Sequence, residues 1–178
     1  VHHQEEAVRA VFDRSEDTGR SVVFARQETP NGTGDAVAAG LDAIDQESGV
    51  VGVMAGDAPL VTEETLTRLL RVHGQHLVTV VTAHLETPGA YGRLVRDAEG
   101  RPAEIVESQE ATPAQLEIQE VNTGLYAFDL AWLRSVLPSL KPHAHKGEVF
   151  LTDTIQRAAE QGRAGTLSLA DPTELMGI

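Results

Sequence analysis

The sequence predicts an α/β fold organised on a mainly parallel sheet, with an antiparallel hairpin region inserted in its second half. Three features carry that expectation. Helix-period and strand-like apolar segments alternate along the chain. Two strand candidates, Val50 to Ala55 and Leu77 to His84, are near-continuous apolar runs of the kind found in strands covered on both faces. Beyond Gly92 the pattern changes, and short segments flank Asp97-Ala98-Glu99-Gly100, a hairpin turn by composition.

Each element has its own local reason. Val8, Val11 and Phe12, with Ala7 beside them, lie at helical spacing and predict a helix from Gln4 to Asp17. Ser21 to Arg26 predicts a short strand through Val22, Val23 and Phe24. Pro30-Asn31-Gly32-Thr33-Gly34 then leads into a helix carrying Ala36, Val37, Gly40, Leu41 and Ile44. After the buried strand ending at Ala55, Thr62 caps a helix whose first turn holds Glu63 and Glu64, placed favourably against the dipole. Leu66, Leu69 and Leu70 are its expected buried face. Leu77 to His84 follows as a strand, and Arg93 to Arg96 with Ala103 to Glu107 form the hairpin arms. Val121 to Phe128 is a further strand, and Leu130 to Leu137 a helix stopped by Pro138. Thr152 to Gln161 is a helix ended by Gly162, and Thr166 to Leu169 a last strand.

Composition narrows the function. With 178 residues, 41% hydrophobic and 23% charged, the chain is most simply one domain with a real core. It has no cysteine, so disulfides and thiolate metal sites are excluded. A formal net charge of −13 argues against a nucleic-acid partner, and no apolar stretch approaches membrane-spanning length, so a membrane partner is not expected either. A cytoplasmic location fits. Lys141 and Lys146 are the only lysines, so cations for a phosphate ligand must come from arginine, a metal, or residues outside the chain. His143 and His145 flank an exposed-looking loop with no convergent third metal ligand.

Asp57 is the most informative residue. A carboxylate at the C-terminal end of a parallel strand lies where open α/β sheets bind ligands. Gly56 before it allows close approach of a ligand, and such a carboxylate can hold Mg2+ against phosphate oxygens. Ala58-Pro59 follows at once, so a turn aspartate is the alternative reading. Asn31-Gly32-Thr33-Gly34 before a helix offers backbone N–H groups to an anion or a base, or is an ordinary loop. It lacks the Lys-Ser/Thr ending of a P-loop. Gly89-Ala90-Tyr91-Gly92-Arg93 reads alone as a tight turn.

In order, these segments resemble a sugar-nucleotide pyrophosphorylase. The series is Gln27, Gly32-Thr33-Gly34, Gly56-Asp57-Ala58-Pro59-Leu60 and Tyr91-Gly92-Arg93. Ile105-Val106-Glu107, Glu120-Val121-Asn122-Thr123-Gly124 and Glu148-Val149-Phe150-Leu151-Thr152-Asp153 narrow the resemblance further. It is to the N-terminal domain of the bacterial bifunctional N-acetylglucosamine-1-phosphate uridyltransferase/glucosamine-1-phosphate acetyltransferases, and it runs from Val1 to Gly177.

The resemblance implies a Rossmann-like nucleotidyltransferase (nucleotide-diphospho-sugar transferase) fold and transfer of uridylate from UTP to N-acetylglucosamine 1-phosphate. The products would be UDP-N-acetylglucosamine and pyrophosphate. It implies Asp57 as the catalytic metal ligand for Mg2+, with Ala55 and Gly56 lining the nucleotide. Gln27, Gly32 and Thr33 would read the uracil, and Gly92, Glu107 and Asn122 would hold the N-acetylglucosamine. Taken singly, a glutamate at a strand end such as Glu107 is more often solvated, and Asn122 before Thr-Gly has the alternative reading of a turn residue. Full-length members are homotrimers.

The family opens with a strand and a glycine-rich loop followed by an arginine and a lysine. This chain starts at Val1, where the family has finished its second strand. The family's second magnesium ligand is an asparagine just after a Gly-Val or Gly-Ile pair, and the chain stops at Gly177-Ile178. Gln109 stands where many members have lysine, and Ala90 where glycine is usual. The left-handed β-helix is absent as well. Residues 1–178 are therefore expected to be a single, incomplete nucleotidyltransferase domain without its N-terminal strands, an internal fragment close to inactive alone. Two alternatives stay open: a pyrophosphorylase for another sugar or base, and a non-catalytic sugar-nucleotide-binding module.

Overall fold

The computed structural model describes residues 5–13, 22–58, 60–143 and 147–175. Its backbone contacts divide it into two compact units, 1–46 with 137–151 and 47–136 with 152–178.

In the first unit, helix α1 covers Glu5–Asp13 and α2 covers Thr33–Asp42. The expected first helix is present; its residues Gln4 and 14–17 lie outside the described set. Phe12 meets Phe24 edge to face, with centroids 5.7 Å apart, and the Arg9 guanidinium lies 4.4 Å over the Phe24 ring. The strand expected over Ser21 to Arg26 is not formed: Ser21 lies outside the described set, and residues 22–27 join no ladder. Strand propensity reflects fit to a half-buried pleated surface, and Val22 and Val23 are 49% and 66% exposed instead.

The second unit holds one six-stranded sheet. Its strands are β1 (Val50–Met54), β2 (Val78–His84), β3 (Arg93–Arg96), β4 (Pro102–Val106), β5 (Glu120–Asp129) and β6 (Ala164–Ser168). The order is β4-β3-β5-β2-β6, with β1 also paired to β5. This overturns the expectation of a mainly parallel sheet. Only β2 and β6 pair in parallel among the described strands; β5 runs antiparallel to β1, β2 and β3, and β3 antiparallel to β4. The apolar run at Leu77 to His84 does mark a strand, buried on both faces through Ala83, but such burial does not dictate a neighbour's direction. Val50 to Ala55 was expected to be buried too. Instead β1 pairs only with β5 among the described strands, and its residues alternate between exposed and half-buried.

Because β1 and β2 both oppose β5, they point the same way, and β6 points with them. The C-terminal ends of three strands therefore meet the N-terminal end of β5 on one side of the sheet.

Helix α3 (Glu63–His73) packs on β2, β5 and β6. Thr62 accepts the Thr65 N–H as its N-cap, and the Glu174 carboxylate takes the Thr62 N–H at 3.1 Å and the Thr65 hydroxyl at 3.1 Å. Its buried face is Thr65, Leu69 and His73 rather than the three leucines expected, and Leu66 and Leu70 are exposed. Positions i, i+4 and i+8 make the inward stripe, so a polar threonine and histidine occupy places that hydrophobicity alone assigned to leucine. Leu69 packs with Val81, Leu125, Ala127 and Leu167.

The remaining helices are short. Helix α4 (Pro113–Leu116) is opened by a Thr112/Gln115 capping box that the sequence signals as Thr-x-x-Gln. Helix α5 (Leu130–Val136) ends before Pro138 as expected, one residue early, and Leu137–Ser139 form a 3-10 turn that contains the proline. Helix α6 (Asp153–Ala159) packs on β2, β4 and β6, two residues shorter than expected at its end.

Two buried groups are expected to make stability depend on pH. His73 shares a hydrogen bond with Thr79 at 3.1 Å. Burial lowers its pKa below 6.5, helped by His76 and Arg163 and opposed by Asp129. Burial pushes the Glu120 carboxyl up, but Arg96, 2.7 Å away, and the Thr82 hydroxyl outweigh it and hold it below 4.5. A depressed histidine binds its proton more readily when unfolded, so stability is expected to fall as pH drops below 6.5 toward the folded value. A depressed carboxylate contributes above its unfolded value, so a second loss is expected below 4.5. Urea denaturation across pH 3 to 8 checks both limbs, and His73→Gln should flatten the first alone.

Candidate functional site

The site residues expected from sequence fall in both units: Gln27, Gly32 and Thr33 in the first, and Ala55, Gly56, Asp57, Gly92, Glu107 and Asn122 in the second.

In the first unit, the loop before α2 is bound along residues 147–151. Val149 N–H donates to Asn31 O at 2.7 Å, Gly34 N–H to Val149 O at 2.9 Å, and Leu151 N–H to Thr33 Oγ1 at 3.0 Å. Gly32 has φ +105°, ψ 179°, a conformation essentially restricted to glycine. The Gln27 amide donates to Gly32 O at 3.2 Å and to Asp35 Oδ2 at 2.8 Å. Asp35, unweighed from sequence, therefore helps to hold the loop on Gln27.

In the second unit a gap opens beside β5. Strand β1 pairs with Leu125–Asp129, while β3 touches β5 at Val121. Residues Asn122-Thr123-Gly124 lie between these two neighbours. On the other edge the register passes from Val80↔Tyr126 to Thr82↔Asn122, so three β5 residues oppose Val81 alone. The Thr123 hydroxyl fills that irregularity by donating to Val81 O at 2.9 Å, and Gly124 completes the bend at φ +77°. A glycine inside a strand pattern is the sequence signal for such a bulge.

Four of the expected residues converge on this gap. Ala55 N–H donates to Gly124 O at 3.1 Å, and Asn122 N–H donates to Gly92 O at 2.9 Å. Gly92 is buried, and a Cβ there would sit 3.0 Å from Ile105 Cγ2 and 3.4 Å from Glu107 Oε2. Arg93, 3% exposed, donates to the carbonyls of Tyr91 and Gly89, fixing the turn before it. Gly56 and Asp57 follow Ala55 in the turn after β1, and Asp57 is exposed. No group of three or more potential metal-ligating side chains occurs among the described residues.

Two residues missed from sequence stand behind the gap. The Tyr126 hydroxyl donates to Asn122 Oδ1 at 2.9 Å, and the Thr152 hydroxyl donates to Glu107 Oε1 at 3.0 Å. Burial pushes the Tyr126 phenol well up from its ordinary value, and the Glu107 charge adds to this. The tyrosine thus stays a neutral donor.

A bulged strand bend at the strand ends of a mixed sheet, gathering a carboxylate, an amide and a close-packed glycine, defines a polar-ligand site of an α/β protein. The family model described as Nucleotidyl transferase matches residues 1–170, and the chain belongs to that family. The chain is 39% identical over its whole length to the "Bifunctional protein GlmU" of Geotalea daltonii, covering 39% of that protein. It is 42% identical to the protein of the same name from Corynebacterium aurimucosum, covering 100% of this chain and 37% of the relative. For the Corynebacterium glutamicum (strain R) protein the figures are 41%, 99% and 37%. The chain thus spans less than two fifths of the length of these curated relatives. No helix among the described residues is long and apolar enough to cross a membrane.

Proposed function

We propose that the chain carries the uridyl-transfer site for N-acetylglucosamine 1-phosphate. The observation that carries the reading is the convergence of Ala55, Gly92, Glu107 and Asn122 at the β5 bend, beside Asp57. The relatives' shared name is that of the bifunctional enzymes whose N-terminal domain the motifs resemble, which supports the same reading.

In this reaction a phosphate oxygen of the sugar phosphate attacks the α-phosphorus of UTP. The bond to the bridging α–β oxygen breaks, and pyrophosphate leaves with the electron pair. No covalent enzyme intermediate is needed, so positioning and charge neutralisation supply the catalysis. Gln27, Gly32 and Thr33 take the uracil; Ala55 and Gly56 line the nucleotide. Gly92, Glu107 and Asn122 hold the sugar. A single exposed carboxylate after a strand, with the phosphates as further ligands, suits a magnesium ion. Asp57 would hold it, and the ion would supply charge neutralisation at the phosphates. Residues 1–178 belong on this reading to one nucleotidyltransferase domain, acting in the cytoplasm on small molecules rather than nucleic acid or membrane.

The test is pyrophosphate release by the product of the whole gene, with UTP, CTP, GTP or TTP paired in turn with N-acetylglucosamine, glucosamine and glucose 1-phosphates. UTP with N-acetylglucosamine 1-phosphate is expected to be preferred at least tenfold. Preference for another pair would reassign the substrate, and no release from any pair would overturn the enzymatic reading.

A further inference from the structure

We propose that Tyr126 and Thr152 are positioning residues that fix which atoms the sugar pocket presents: an N–H donor from Asn122 and a carboxylate acceptor from Glu107. The inference rests on the reading of Asn122 and Glu107 as sugar-binding residues.

A backbone N–H can only donate, so the Asn122 side-chain atom that meets Gly124 N–H at 3.0 Å must be the amide oxygen. The same oxygen accepts the Tyr126 hydroxyl at 2.9 Å. Two donors on one oxygen commit the amide to a single orientation, and Nδ2 is left to donate elsewhere. Turning the amide over would set its NH2 against the Gly124 N–H and lose that bond, and the Tyr126 hydroxyl would have to accept instead of donate. Tyr126 is 4% exposed and stacks on Phe128 with centroids 5.6 Å apart, so its hydroxyl is held in place. A buried phenol needs a partner, and this one spends its proton on Asn122.

Glu107 is oriented in a parallel way. Thr152 stands at the N-cap of α6, where a threonine hydroxyl normally accepts a helix N–H, yet it makes no such bond. It donates instead to Glu107 Oε1 at 3.0 Å. The helix forgoes its side-chain cap, and the carboxylate is turned so that Oε2 lies toward Gly92. Together the pair offers one donor and one acceptor, the pattern that a sugar hydroxyl or an acetamido group satisfies.

Tyr126→Phe and Thr152→Val each delete one oxygen or replace it by a methyl group. In the whole gene product each is expected to raise KM for N-acetylglucosamine 1-phosphate about fivefold to tenfold, with KM for UTP and kcat within twofold. Thr152→Ser keeps the hydroxyl and should restore the wild-type KM. Unchanged sugar-phosphate KM in both variants overturns the inference while leaving the proposed function standing. So does an equal rise for both substrates with a lowered Tm, since that marks a purely structural role. A wild-type protein that turns over no sugar phosphate overturns the proposed function itself, and this inference with it.

Discussion

Asp57→Ala is expected to lower magnesium-dependent pyrophosphate release by about a thousandfold, the scale lost when one main electrostatic contributor to a transition state is removed. Asp57 lies in the turn after β1 with its side chain exposed, so its loss leaves no cavity and no buried partner stranded. Stability should change by no more than about 0.5 kcal/mol. The two readouts must therefore separate: rate collapses while the melting curve stays put. Asp57→Asn keeps the shape and removes the charge, and it should fall nearly as far, with a much higher magnesium requirement for whatever activity remains. Steady-state rates against magnesium concentration, taken with a thermal melt, check this. A variant with near-wild-type rate would return Asp57 to its other reading, a turn residue.

How much of this was legible in the sequence depended on whether the information is local. Thr62 as a cap, the hairpin at residues 97–100 and a strand over Leu77 to His84 depend on neighbours in sequence, and the structure has all three, the strand being buried through Ala83. Strand direction is not local. The apolar run before Asp57 predicts a buried parallel strand, while β1 alternates between exposed and half-buried residues and runs antiparallel to β5. Asp57 nevertheless follows the C-terminal end of β1. β1, β2 and β6 still run the same way, and the antiparallel β5 delivers its own N-terminal end, with Asn122, to their C-terminal side.

The site followed the same division. Gly92, Glu107 and Asn122 were identifiable through ordered motifs, but what joins them was not. The link is a bulge in β5 and a gap between β1 and β3, both of which are matters of register. From sequence Tyr126 is only a position within the strand Val121 to Phe128, and Thr152 only the first residue of a helix. Their hydroxyls matter because of partners four residues and forty-five residues away. A pattern of hydrophobicity cannot announce a bond of that kind.

Gly32→Ala should have the largest effect on the first unit. A Cβ at this position would stand 2.5 Å from Val149 O and 2.9 Å from Val149 N, both backbone atoms held by the loop's own hydrogen bonds. Neither can swing aside as a flexible side chain would. The backbone at φ +105° and ψ 179° adds its own penalty for any residue with a side chain. Together these costs are about 3 kcal/mol or more, enough to separate the loop from residues 147–151 rather than strain it in place. Faster hydrogen exchange is therefore expected at the Val149 and Leu151 amides, which donate to Asn31 O and Thr33 Oγ1. On the proposed reading UTP binding should weaken at least tenfold, because the Gly32-Thr33 backbone would no longer be held against the base. Exchange at the β2 and β5 amides of the second unit should stay as in the wild type. Unchanged protection at Val149 and Leu151 would mean that the loop accommodates a side chain, and that its glycine serves neither the fold nor the base.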